Sequence, residues 1–277
     1  MTTRVTKGTP VKIKIVALSV IATSATLALA GCSSSSVTPS RSPTSTTATA
    51  SIVTGSIVVD VASSLTGTFD TVAAAFKKAN PGTSITFNYG GSGDLAAAIT
   101  AGAPVDVFAA ASPATMTIVS SKSLVVGTPA TFVKNELEIV TPAGNPAGIK
   151  GLADFADTSK KIALCETTEP CGAAAVAVFA AANITPAPDT LEPNVKGVLT
   201  AAELNQVDAG MVYHTDVLSG GSKVTGVTFP SASQFIVSYP IAPLKTSKDP
   251  KLAAAFVAYV LSTPAQAILK HAGFITN

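Results

Sequence analysis

Tryptophan is absent from the 277 residues, histidine occurs twice, and cysteine and methionine three times each. Each scarcity narrows the field. His214 and His271 are the only histidines, and no Gly-x-Ser-x-Gly turn accompanies them, so a serine nucleophile would have no evident base. Glu166, Glu169 and Asp216 show no metal-ligand spacing, and the chain is expected to be neither an enzyme nor a carrier of a resident cofactor. Charged side chains make up 12% of the chain, about half the usual share. The net charge is only +2, with no basic stripe, which argues against a nucleic-acid partner. Packing must therefore rest on Ala, Val, Leu, Ile and the eleven Phe, and the surface on Ser, Thr and Ala.

What is present begins with Arg4, Lys7, Lys12 and Lys14, unopposed by any acid, followed by a mostly apolar run over residues 15–30. A membrane-spanning helix needs about 20 apolar residues; a basic flank, a shorter apolar core and small residues at its end are the parts of an export signal. The run closes on Leu29-Ala30-Gly31-Cys32, which resembles a bacterial lipobox. That resemblance implies cleavage after residue 31 and a diacylglyceryl group on Cys32, anchoring the chain to the outer face of the cell membrane. Residues 32–54 are almost entirely Ser, Thr, Pro, Ala and Val, too poor in apolar surface to offset the entropy of ordering. They read as a flexible tether. The folded part is then 55–277, a length that can bury roughly 70% of its unfolded surface.

With Cys32 claimed by lipid, Cys165 and Cys171 remain, six positions apart. In an oxidising exterior they are expected to form a disulfide, contributing about 2 kcal/mol through its short loop. The hydrophobic pattern predicts strands over 57–61, 85–89 and 105–109, alternating with helices over 69–76 and 95–101. Farther on it predicts strands at 137–141, 161–164, 209–213, 224–229 and 235–239. Helices are expected at 172–182, 194–204, 251–261 and 264–271, and His214 is expected to start another. Strand and helix in alternation indicate an α/β protein, most economically two lobes with a ligand between them.

Three Gly/Ser-rich turns sit where a predicted strand ends and a helix begins: Ala62-Ser63-Ser64-Leu65-Thr66, Gly90-Gly91-Ser92-Gly93-Asp94 and Glu169-Pro170-Cys171-Gly172. One such turn usually just caps its helix. Three together, at the carboxyl ends of strands, offer amides, hydroxyls and helix N-termini to a small anion without any Arg or Lys.

The first turn, then Ser92-Gly93-Asp94-Leu95, the segment from Ala101 to Phe108 (AGAPVDVF) and Gly210-Met211-Val212-Tyr213 resemble, in order and spacing, the periplasmic molybdate-binding proteins of ABC importers. The resemblance runs from Ile57 to Phe274. It implies a two-lobed type II binding-protein fold, with crossover strands near 133–140 and 233–237, one lobe of 55–135 plus 236–277 and the other of 136–235. It also implies an oxyanion held by the hydroxyls of Ser64 and Ser92, the backbone amides of Cys171 and Val195, and the hydroxyl of Tyr213. Many relatives carry alanine at the position of Cys171, which leaves a backbone donor intact. Gly93 and Asp94 replace a Ser-Thr pair, so Asp94 is expected to face solvent. The expected cargo is molybdate, with tungstate as a near-isosteric ligand and sulfate or phosphate as the alternative. The expected partners are the permease and ATPase subunits of an importer, met by a monomer. Asp106 is expected to be a strand-end hinge or lobe-closing residue.

Overall fold

The structure, a computed structural model, describes residues 53–276; the leader, Cys32 and nearly all of the tether lie outside the described residues. Two five-stranded mixed sheets organise the chain. The first begins with β1 (Gly55–Ala62), a largely buried apolar run that pairs in parallel with β2 (Thr83–Gly90) on one side and β3 (Val107–Ala109) on the other. Between them run α1 (Thr68–Ala79) and α2 (Ser92–Thr100). On α1 the buried residues are Phe69, Val72, Ala73 and Phe76, the i, i+3, i+4, i+7 stripe of a helix packed on a sheet. Edge strand β2 alternates in burial as a half-covered strand does.

After α3 (Pro113–Ser121) the chain enters β4 (Ala130–Asn135), passes Glu136, and continues as β5 (Leu137–Pro142). The predicted crossover over 133–140 is thus two strands in different sheets rather than one. The second sheet takes β5, β6 (Ile162–Cys165), β7 (Thr190–Glu192), β8 (Ala209–Tyr213) and β9 (Val224–Val227), in the order β7-β6-β8-β5-β9. Its central strands β5, β6 and β8 are buried at every position, as expected where helices cover both faces. Those helices include α4 (Pro170–Ala181), α5 (Val195–Glu203) and α6 (His214–Gly220).

The chain returns to the first sheet as β10 (Val237–Pro243), antiparallel to both β3 and β4, giving the order β2-β1-β3-β10-β4. This strand lies later than the expected 235–239, and the crossover strand expected near 233–237 is instead a 3-10 turn over Ala232–Gln234 leading to β10, of which only Val237 belongs to that span. Pro240 sits beside a register shift between Tyr239 and Pro240, where a missing ladder donor is tolerated. Helices α7 (Pro250–Val260) and α8 (Thr263–His271) follow. Phe69, Phe76, Phe132 and Phe256 pack edge-on or tilted at ring separations of 5.5 to 6.3 Å, so the phenylalanines carry much of the packing in this tryptophan-free core. The α/β, two-lobed type II class expected from the sequence is the class observed.

Candidate anion-binding site

In each sheet the parallel strands point their carboxyl ends the same way, and the helices that follow start there. From the first sheet, β1 leads into a 3-10 turn at Ser63–Leu65 and β2 into α2. From the second, β6 leads into α4, β7 into α5 and β8 into α6. These ends line a small, partly open cleft to which both sheets contribute walls. Ser64, Ser92, Cys171, Val195 and Tyr213, the five positions taken from the resemblance, all line it. No Lys, Arg or His is among the lining residues.

Each hydroxyl is supported from behind. The amide of Ala111 donates to Ser92 Oγ at 3.0 Å, which leaves the hydroxyl proton of Ser92 for the cavity. Ser64 Oγ lies 3.0 Å from the Tyr239 hydroxyl, and Asn135 Nδ2 lies 3.5 Å from the same hydroxyl and 2.8 Å from Thr215 Oγ1. An amide NH₂ can only donate. Asn135 can donate to Tyr239 and Tyr239 to Ser64, an arrangement that leaves the Ser64 proton for the cavity. Tyr239 and Asn135 are both buried. Replacing Tyr239 by Phe should release Ser64 from this orientation and weaken anion binding by about 1 kcal/mol, measurable by calorimetric titration.

Tyr213 differs. It is 1% exposed, and its hydroxyl makes no well-formed hydrogen bond among the described residues, having only a marginal interaction with the Tyr239 hydroxyl. Tyr239 stands beside it with ring centroids 5.9 Å apart. Burial, reinforced by the neighbouring Tyr239 and Asp216, holds the Tyr213 hydroxyl well above the usual tyrosine range, so it stays protonated and keeps a proton to donate. Its backbone is fixed from below, because the Tyr213 amide donates to Asp216 Oδ2 at 3.2 Å and Lys196 Nζ sits 3.0 Å from Asp216 Oδ1. Burial raises the Asp216 carboxyl above the carboxylate range, and Lys196 acts against that shift.

The amides are exposed by the way their helices begin. On α5 the Asn194 side chain accepts from Lys196 and Gly197 at 3.0 and 3.2 Å, leaving Val195 N–H without a partner among the described residues. On α4 the first position is Pro170, which has no N–H to satisfy, and Cys171 presents the first donor of the helix. The Cys165–Cys171 disulfide forms as expected, with its Cα atoms 5.8 Å apart, and fixes that amide relative to β6. Together α2, α4 and α5 present three helix N-termini to one cavity, each equivalent to a fraction of a positive charge.

Two expectations about carboxylates meet different outcomes. Asp94 is exposed, as expected. Asp106 closes nothing between the sheets: its carboxylate accepts from Val58 N, Ser247 Oγ and Lys248 N at 2.7 to 2.9 Å. Val58 lies in β1 and Ser247 and Lys248 in the turn before α7, so Asp106 staples that turn to the start of β3 and to β1 within the first-sheet half. The carboxylate that does cross the cavity is Glu169, which accepts from the amides of Gly93 and Asp94 at 3.0 and 3.1 Å. Burial pushes the Glu169 carboxyl above its ordinary range, and the two amides partly counter that. Glu169, Tyr239 and Asn135 were not singled out as functional from the sequence; only an explicit tertiary pairing could have marked them. His214 begins α6, as expected, and pairs through Nδ1 with Glu138 Oε2 at 2.6 Å, away from both serines.

Comparison with known proteins agrees with this architecture. Residues 57–275 match the model of a family described as bacterial extracellular solute-binding protein. The molybdate-binding protein ModA of Mycobacterium tuberculosis is 39% identical over 235 residues, covering 85% of this chain and 90% of that protein. The structure of the Azotobacter vinelandii periplasmic molybdate-binding protein superposes with a TM-score of 0.65 at 20% identity, covering 80% of this chain and 99% of that one. The sulfate-binding protein SubI of M. tuberculosis superposes with a TM-score of 0.66 at 16% identity, covering 79% and 86%. At such low identities the two structures speak for the fold alone. The family model and the 39% identity, each spanning most of the sequence, place this chain in the family of bacterial extracellular solute-binding proteins.

Proposed function

We propose that this chain is the extracytoplasmic receptor of an ABC importer for molybdate, with tungstate as an alternative cargo. It captures the anion between its two lobes and passes it to the permease and its ATPase. The observation that carries this reading is a cavity lined by the hydroxyls of Ser64, Ser92 and Tyr213 and by the first residues of α4 and α5, with no Lys, Arg or His among its lining residues. Molybdate at neutral pH is a fully deprotonated tetrahedral dianion, and its oxygens want donors only. Hydroxyls of Ser64, Ser92 and Tyr213 with amides of Cys171 and Val195 match that demand. The carboxylate in the wall, Glu169, has an amide on each oxygen. A singly protonated phosphate would need an acceptor left over. Sulfate offers the same oxygens on a smaller ion, and cavity size must separate the two.

In this reading the lobes are 55–135 with 236–277, and 136–235. Residues 1–31 direct export, lipid on Cys32 anchors the mature chain to the membrane, and 32–54 form its leash. The protein acts as a monomer and performs no chemistry on its cargo. Neither serine has a base beside it, since Ser92 Oγ meets Ala111 N and Ser64 Oγ meets Tyr239. Differential scanning fluorimetry and calorimetry with molybdate, tungstate, sulfate and phosphate test the proposal. Molybdate and tungstate at about 100 times Kd should stabilise the protein by roughly 2.7 kcal/mol, visible as a clear rise in Tm. The other two should do little. No shift with either metal oxyanion would overturn the reading.

A further inference from the structure

Glu169 belongs to neither the donor set nor the sheet core, yet it is 2% exposed and lies in the wall of the cavity. It is the residue before α4, in the half of the molecule built on the second sheet. Its side chain does not cap its own helix. Instead it crosses to α2 of the first-sheet half and accepts the second and third amides of that helix, Gly93 and Asp94. Each would otherwise be an orphan of the first helical turn. The contact is tight. A Cβ on Gly93 would lie 2.7 Å from the Thr168 carbonyl oxygen and 2.8 Å from Glu169 Oε1, and one on Gly91 would lie 2.5 Å from the Pro193 carbonyl oxygen. Glycines at 91 and 93 thus let the second-sheet half approach the α2 backbone directly, where any side chain would hold it off.

We infer that Glu169 is a latch across the anion cleft, holding the two halves together by capping a helix of the opposite half. The inference rests on the molybdate-receptor reading for its cargo, though not for its geometry. The N-terminus of α2 is shared: Ser92 serves the anion, while Gly93 and Asp94 serve the latch. Separating the halves breaks two charge-assisted bonds that do not involve the anion. The latch therefore adds to the barrier to parting the halves, and contributions of this kind fall mainly on the release rate. It is a positioning residue, since it donates nothing to the ion.

The test uses the full mature chain and the variants Glu169→Ala and Glu169→Gln. Molybdate release is followed by stopped-flow displacement with tungstate, and amide hydrogen exchange is read at Gly93 and Asp94 with and without molybdate. Glu169→Ala should release molybdate about tenfold faster or more, with association changed by less than about twofold, and both amides should lose protection. Glu169→Gln has one oxygen for two amides and should fall between. A merely structural role would lower Tm without this split between release and association. Wild-type release together with unchanged protection at both amides in Glu169→Ala would overturn the latch. If the wild-type chain binds neither molybdate nor tungstate, the receptor reading fails on its own. Exchange at Gly93 and Asp94 still decides the latch.

Discussion

Val195→Pro is expected to weaken molybdate binding about tenfold to a hundredfold, the range set by losing one hydrogen bond to a charged ligand, and to leave the fold intact. Proline normally ruins a helix, but Val195 is the first residue of α5. At that position the missing N–H breaks no helical bond and the fixed φ suits the backbone. The preceding residue is also ready: Asn194 has φ −166° and ψ 170°, the extended conformation that a following proline demands. Its side chain still accepts from Lys196 and Gly197, so the cap survives. The substitution therefore deletes one backbone donor and little else. Calorimetric titration with molybdate, set beside the far-ultraviolet circular dichroism and Tm of the anion-free protein, checks both halves of the expectation. Unchanged affinity in a folded Val195→Pro protein would remove this amide from the site.

Tyr213→Phe should lower molybdate affinity by a similar factor, about tenfold to a hundredfold, without lowering the Tm of the anion-free protein. The two results belong together. A buried tyrosine whose hydroxyl bonds firmly to the protein loses stability when that hydroxyl is removed, whereas this one has only a marginal interaction with the Tyr239 hydroxyl to lose. Its ring contacts with Tyr239 are kept by phenylalanine. A variant that bound molybdate normally but melted lower would show that the hydroxyl serves the fold and not the ion. The contrast with Tyr239→Phe sharpens the test, because the Tyr239 hydroxyl does have protein partners and its removal should affect both Tm and binding.

Much of this architecture was legible in the chain. Strands such as β8, where five consecutive residues are all buried, announce themselves by composition, and α1 by its phenylalanine spacing. The edge strand β7 is three residues long and only partly covered; its pairing with β6 is the reason it exists, and no local pattern encodes that. Helix α3 falls outside the pattern-predicted elements although Ser112 and Pro113 form an ordinary start signal, with Ser112 Oγ accepting from Thr115 N at 3.1 Å. Its apolar residues are too mixed with Thr and Ser to show a stripe. At the site, the residues at strand-to-helix turns could be named because turn chemistry is local. The supporting residues could not. Asn135 and Tyr239 are 104 positions apart, and Glu169 is 76 from Gly93. The carboxylates illustrate the difference, since Asp106 and Glu169 look equally eligible in sequence and only their partners tell a staple from a bridge.

The way the donors are shared out between the two halves carries one further consequence. Ser64 and Ser92 ride on the first sheet, while Cys171, Val195 and Tyr213 ride on the second. None of the five carries a formal positive charge, so neither face, once parted from the other, has a counter-ion with which to keep a dianion out of water. In the proposed receptor, unloading then requires no competing ion and no chemical change in the protein. A transporter that merely pries the halves apart has already emptied it, and an anion returning to the parted faces meets only half a coordination shell.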